Sequence, residues 1–143
     1  MSLNVALNYL LSSVIAFSLK VHGYHWNVVG NGFQQYHALF DTIYEDVNDS
    51  IDPLAENIRK LGQFPSFTVN DVASMSRISK TDAGINPHDQ IVNLLDDNAK
   101  VLSLIKDCID VAGEEQGILN FLADRQDMHQ KWGWQLRASI GTP

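Results

Sequence analysis

The stretch HGYHWNVVGNGFQQYHALFD, residues 22–41, sets three histidines and one aspartate around a turn marked by Gly30 and Gly32. Upstream of it, Leu3, Leu7, Leu10, Leu11, Val14, Phe17 and Val21 recur at three and four, the spacing of a helix with one buried stripe that runs from Leu3 to about Val28. Downstream, Leu39, Phe40, Ile43, Tyr44, Val47, Ile51, Leu54 and Ile58 carry a second helical pattern from Phe33 to Leu61, where Gly62 is a fitting stop. His37 and Asp41 stand four residues apart on one face of that second helix, and His25 lies near the end of the first. The stretch reads as helix, reversal, helix, with metal-ligating side chains gathered near the reversal.

Pro53 falls inside the second pattern, where its ring removes a hydrogen bond and crowds the carbonyl four residues back. Because the apolar spacing stays in phase on both sides, a bend near Asp49 is expected rather than a break. Residues 63–86 are polar and lack sustained periodicity, although Thr68 with Asp71 fits the cap of a short helix over Val72 and Met75. Asn86-Pro87 then opens a third helix with the stripe Ile91, Leu94, Val101, Ile105 and Ile109, ended by Ala112-Gly113. A fourth runs from about Glu114 to Ser139 through Ile118, Leu122, Trp132 and Leu136. Nothing reads as a strand. The expectation is one all-α domain over residues 1–143, a ferritin-like four-helix bundle whose long crossover between the second and third helices carries a short extra helix.

Ten basic residues against seventeen acidic ones give a formal net charge of −7, and the basic ones are scattered singly. A nucleic-acid backbone would be repelled on average, whereas cations would be attracted. The lone Cys108 cannot close an intrachain disulfide. Residues 1–20 have an apolar cast, but no basic stretch precedes them and Asn4, Asn8, Ser12 and Ser13 interrupt the run, so neither a leader nor a membrane span is expected. The reading is a soluble cytoplasmic protein.

Asp52 and Glu56 repeat the four-residue spacing of His37 and Asp41. Eleven residues, close to three turns, separate Asp41 from Asp52, so all four groups share a face, but the two pairs lie roughly 16 Å apart along the axis. Metal bonds of about 2.0–2.2 Å cannot span that gap within one straight helix. If two copies of the second helix pack antiparallel about a twofold axis, His37 and Asp41 of one copy face Asp52 and Glu56 of the other, which gives two equivalent sites per dimer. His25 joins from the side of His37. Mixed imidazole and carboxylate ligands suit a divalent first-row metal; iron with open positions is the main expectation, and zinc fits the ligand types as well.

The pattern H-W-N-V-x-G-x-x-F-x-x-x-H-x-x-F-D-x-x-Y from His25 to Tyr44, followed by D-x-x-x-E and R-x-L-G between Asp52 and Gly62, resembles the Dps miniferritins. The resemblance implies a hollow dodecamer built from twofold dimers that oxidises Fe(II), preferably with hydrogen peroxide, and stores the ferric product. It implies Asp52 and Glu56 as the main iron ligands, His25, His37 and Asp41 as ligands of the facing position, and Trp26 as an acceptor of stray oxidising equivalents. Acidic residues near the start of the fourth helix would line iron-entry pores, for which Glu115 and Asp124 are the candidates. Two departures stand out. The lysine-rich tail typical of DNA-binding members has no counterpart here, and Asn57 replaces an arginine common after the glutamate.

Blander readings compete at each position. The five proposed ligands could be a solvated charged face with incidental histidines, but carboxylates in phase with an apolar helix need partners once buried. His22 is as readily a hydrogen-bonded structural residue as a ligand; His129 reads as surface or pore rim, and His88 as an exposed first-turn residue. Trp132 and Trp134 read as packing or interface residues. An ordinary ferritin-type centre inside one bundle would need Glu-x-x-His motifs, and none is present. A DNA-compacting or purely structural shell with little redox activity is the alternative from another class, and a zinc-binding assembly a third.

Overall fold

Ser2 caps the first helix by accepting the Val5 N–H on its hydroxyl. The computed structural model describes residues 1–143 and is all-helical: α1 (Leu3–Asn27), α2 (Phe33–Asp49), α3 (Ile51–Lys60), α4 (Val69–Met75), α5 (Pro87–Val111) and α6 (Gln116–Ser139). The Thr68 and Asn86 side chains cap α4 and α5 as expected, accepting from the N–H groups of Asp71 and Asp89. Glu115 occupies the N-cap position of α6, so that helix begins slightly later than the apolar spacing suggested.

The single bent helix expected over 33–61 is instead two helices that meet at Ser50. Pro53 has no N–H to offer the Asp49 carbonyl, and the ladder tightens just before it. The Ser50 N–H reaches both Asp46 O (3.2 Å) and Val47 O (3.1 Å), while its hydroxyl donates to Val47 O at 2.6 Å. Ser50 itself keeps right-handed helical angles (φ −79°, ψ −15°), so the chain runs on into α3 without a loop.

Helices α1 and α2 form one hairpin and α5 and α6 another, with α1 packed on α5. Leu7, Leu10, Phe17, Phe40, Ile91 and Leu122 are fully buried between them. Each such side chain stabilises the fold by about 1.5–3 kcal/mol through the area it removes from water.

The crossover between α3 and α5 is tied to α1 by polar groups. Asn8 accepts the Ser66 N–H (2.8 Å), Ser13 accepts the Arg77 N–H (3.0 Å), and the Tyr24 hydroxyl accepts the Ala83 N–H (3.0 Å). Lys20 donates to Ser79 O at 2.7 Å and to the fully buried Asp97 carboxylate at 2.6 Å. Two of the polar residues that interrupt the apolar N-terminal run, Asn8 and Ser13, are therefore anchors for this strap. By length and composition α1 would suffice to cross a bilayer, yet 61% of its most apolar window is buried inside the fold, as befits a core helix.

Candidate metal centre

Where α1 ends, its last carbonyls lose their helical donors. Val28 turns extended (φ −75°, ψ 134°), and the Val29 N–H, which would have bonded His25 O, donates to Ile85 O at 3.0 Å instead. His37 takes the freed carbonyl: its Nδ1 lies 2.6 Å from His25 O, and His25 Nδ1 lies 2.6 Å from His37 O. A carbonyl only accepts, so both Nδ1 atoms carry the proton, and in the neutral rings both Nε2 atoms keep free lone pairs. The two imidazoles stack with centroids 3.8 Å apart.

The reversal that allows this needs Gly32, whose φ is +83° and whose added Cβ would sit 2.7 Å from the Tyr36 ring. Asp41 Oδ1 stands 3.9 Å from His25 Nε2, and the Asp41 side chain remains 44% exposed. Phe33 stacks on the outer side of His37 at 4.9 Å. His22 is no member of the ligand pair: it lies flat on Tyr44 at 3.7 Å and beside Trp26 at 4.4 Å. The Trp26 ring is largely exposed.

Asp52 and Glu56 lie on α3, exposed, with no hydrogen-bond or ion-pair partner in the chain. The structure thus brings His25, His37 and Asp41 together and leaves the second carboxylate pair apart. No three His, Cys, Asp or Glu side chains of one chain converge closely enough to hold a metal. What one chain offers is half a donor set, two imidazole nitrogens and a carboxylate, of a type that fits a divalent first-row cation. Glu115 and Asp124 are both exposed and unpaired, with nothing drawing them toward each other.

The same face of α1 carries a groove. Leu19, His22, Gly23 and Trp26 follow the helical repeat, and Leu19 and Gly23 line a trough of about 990 Å³ between α1 and the crossover. Phe67 and Val69, each more than four-fifths exposed, stand on its far wall.

Compared with known proteins, residues 4–142 match the ferritin-like domain family. A Dps protein from Vibrio cholerae O1, described as one of the ferritin-like diiron-carboxylate proteins, superposes with a TM-score of 0.91 at 31% identity over 96% of this chain and 88% of its own. The chain belongs to the Dps family. A low-temperature-induced protein of Nostoc is 31% identical over 94% of this Dps chain and 77% of its own length. The DNA protection during starvation protein of Helicobacter pylori is 29% identical over 94% and 95%.

Inside the Dps bundle lies a polar cluster that was not among the expected site residues. Arg125 holds Asp46 through two parallel bonds of 2.9 Å, and Trp132 Nε1 donates to Asp46 Oδ2 at 2.7 Å. His129, expected at the surface or a pore rim, is fully buried beside them. It sits on α6 between Arg125 and Trp132 in the repeat that also buries Leu122 and Leu136, so the helical phase did signal it. Burial, helped by the Arg125 charge and opposed by Asp46, pushes the His129 pKa down to about 3. Burial alone would raise Asp46, but the hydrogen bonds of Arg125 and Trp132 and the Arg125 charge prevail and hold it below the usual carboxylate range. Cys108 is buried, which with the nearby Asp107 raises its thiol to about 12 and keeps it inert.

Proposed function

We propose that this chain is a ferroxidase and iron store whose active sites form between subunits. Two copies pair antiparallel about a twofold axis, and His25, His37 and Asp41 of one face Asp52 and Glu56 of the partner subunit. Fe(II) is the substrate. Glu56 and Asp52 are its principal ligands, and the imidazole Nε2 atoms with Asp41 hold the facing position; oxygen donors favour the ferric product. Two Fe(II) give one electron each to hydrogen peroxide, which takes up two protons and leaves as two waters. Trp26, beside the histidine pair, supplies an electron when only one iron is present. Six such dimers enclose a dodecameric cage in the cytoplasm that keeps the ferric mineral, with Glu115 and Asp124 near its entry pores.

The observation that carries this reading is the locked pair of imidazoles, whose free nitrogens and neighbouring carboxylate make an open half-site. The unpaired Asp52 and Glu56 supply a complementary half, and the exposed apolar wall of the groove supplies a surface for a second copy. Replacing Glu56 with Gln in an assembled particle is expected to slow Fe(II) oxidation at least tenfold in stopped-flow absorbance; an unchanged rate would reject its role. Relatives are named for DNA protection, and here that protection would come from removing Fenton reagents together. A net charge of −7 opposes wrapping DNA, so no gel shift is expected at neutral pH and low salt.

A further inference from the structure

The polar cluster inside the bundle has the donors of a metal site and a guanidinium where the metal would be. The Asn98 amide fixes the proton positions: its Nδ2 donates to His129 O at 2.9 Å, so its Oδ1, 2.9 Å from His129 Nδ1, must accept. His129 therefore carries its proton on Nδ1 and presents a bare Nε2 lone pair, which faces Arg125 Nη2 at 3.3 Å. Both oxygens of Asp46 face the same guanidinium at 2.9 Å. Three donor atoms from α2 and α6, a chelating carboxylate and an imidazole, thus converge on one cation. Asn98 orients the imidazole as a backing residue orients a metal-bound histidine.

We propose that Arg125 is a built-in substitute for a metal ion, closing an Asp46–His129 ligand cage inside each bundle and so excluding divalent metals from it. The Asp46 side chain is 22% exposed and that of Arg125 11%, so the cage is within reach of solvent. Removing the guanidinium leaves the donors 2.9–3.3 Å from where its nitrogens stood, so closing by about 1 Å brings them to metal-bond length. The inference concerns the bundle interior and stands whether or not iron is oxidised between subunits.

The test uses full-length protein carrying His37→Ala and Glu56→Gln, which disables the proposed intersubunit site, with and without Arg125→Ala. Each is titrated with Co(II) by calorimetry and visible absorption. With Arg125 removed, one additional Co(II) per chain is expected, with ligand-field bands. The uptake should vanish on adding His129→Gln and should be competed by free guanidinium, which refills the gap. A purely structural ion pair would produce none of these changes. A folded Arg125→Ala protein that takes up no extra Co(II), or whose extra Co(II) survives His129→Gln, overturns the proposal. Should Arg125→Ala fail to fold, refolding with Co(II) or with low guanidinium is expected to restore the helical circular dichroism, and failure of both overturns it as well.

Discussion

A histidine whose Nδ1–H is held by a main-chain carbonyl has lost both its ring flip and its choice of tautomer, and in the His25–His37 pair this happens twice over. Either residue changed to Gln is expected to cost about 1 kcal/mol of stability in urea unfolding, for one bond lost. The same changes should weaken Co(II) binding about tenfold to a hundredfold, as loss of a ligand and of its partner's orientation together. The ligand types and the i, i+4 step to Asp41 were legible from spacing; the clasp was not, because it depends on where the Val28 turn releases a carbonyl. His129 makes a separate forecast. Its ordinary value is 6.5 and its folded value about 3, so between these the unfolded chain binds the extra proton. Its contribution is full above pH 6.5 and is lost as pH falls toward 3. The urea midpoint should therefore drop on going from pH 7 to 4.5, and His129→Gln should show a flatter dependence.

Among the elements, caps and glycines were the most readable features, because each acts on backbone groups within three or four residues. Asn86→Ala is expected to cost about 1 kcal/mol in chemical unfolding, since the Asp89 N–H would lose its acceptor. Pro53 was read correctly as a disturbance, but the apolar phase concealed that the ladder resets at Ser50. An in-phase stripe reports which way side chains face, and says little about whether every carbonyl between them finds a donor. Outside its short helix the crossover showed no periodicity because its order comes from elsewhere: α1 supplies partners up to 64 residues away in sequence. Lys20→Met would leave the buried Asp97 carboxylate only the Ser79 N–H and the more distant Lys100 at 3.6 Å, at a cost of about 1–3 kcal/mol. Limited proteolysis should then cut within residues 76–85 far faster than in the parent.

For the whole molecule, the ligand spacing led to the proposal of a site shared between subunits, and Asp52 and Glu56 stand exposed and unpaired on α3. What spacing could not convey was the groove beside the histidines, which exists only once the strap lies over α1. Subunit mixing tests the shared site directly. Particles of His37→Ala alone or Glu56→Gln alone should oxidise Fe(II) slowly, whereas co-refolded mixtures should regain roughly a quarter of parental activity, because half the random pairs are mixed and each has one intact site of two. No recovery in mixed particles would place the chemistry within single chains. The strap has a bearing on how the molecule is made. Its grips at Asn8, Ser13, Lys20 and Tyr24 emerge from the ribosome first, and the segment they hold follows some sixty residues later. The leading helix must therefore wait with its outer side uncovered, so during synthesis that side is the place where a chaperone would find its hold.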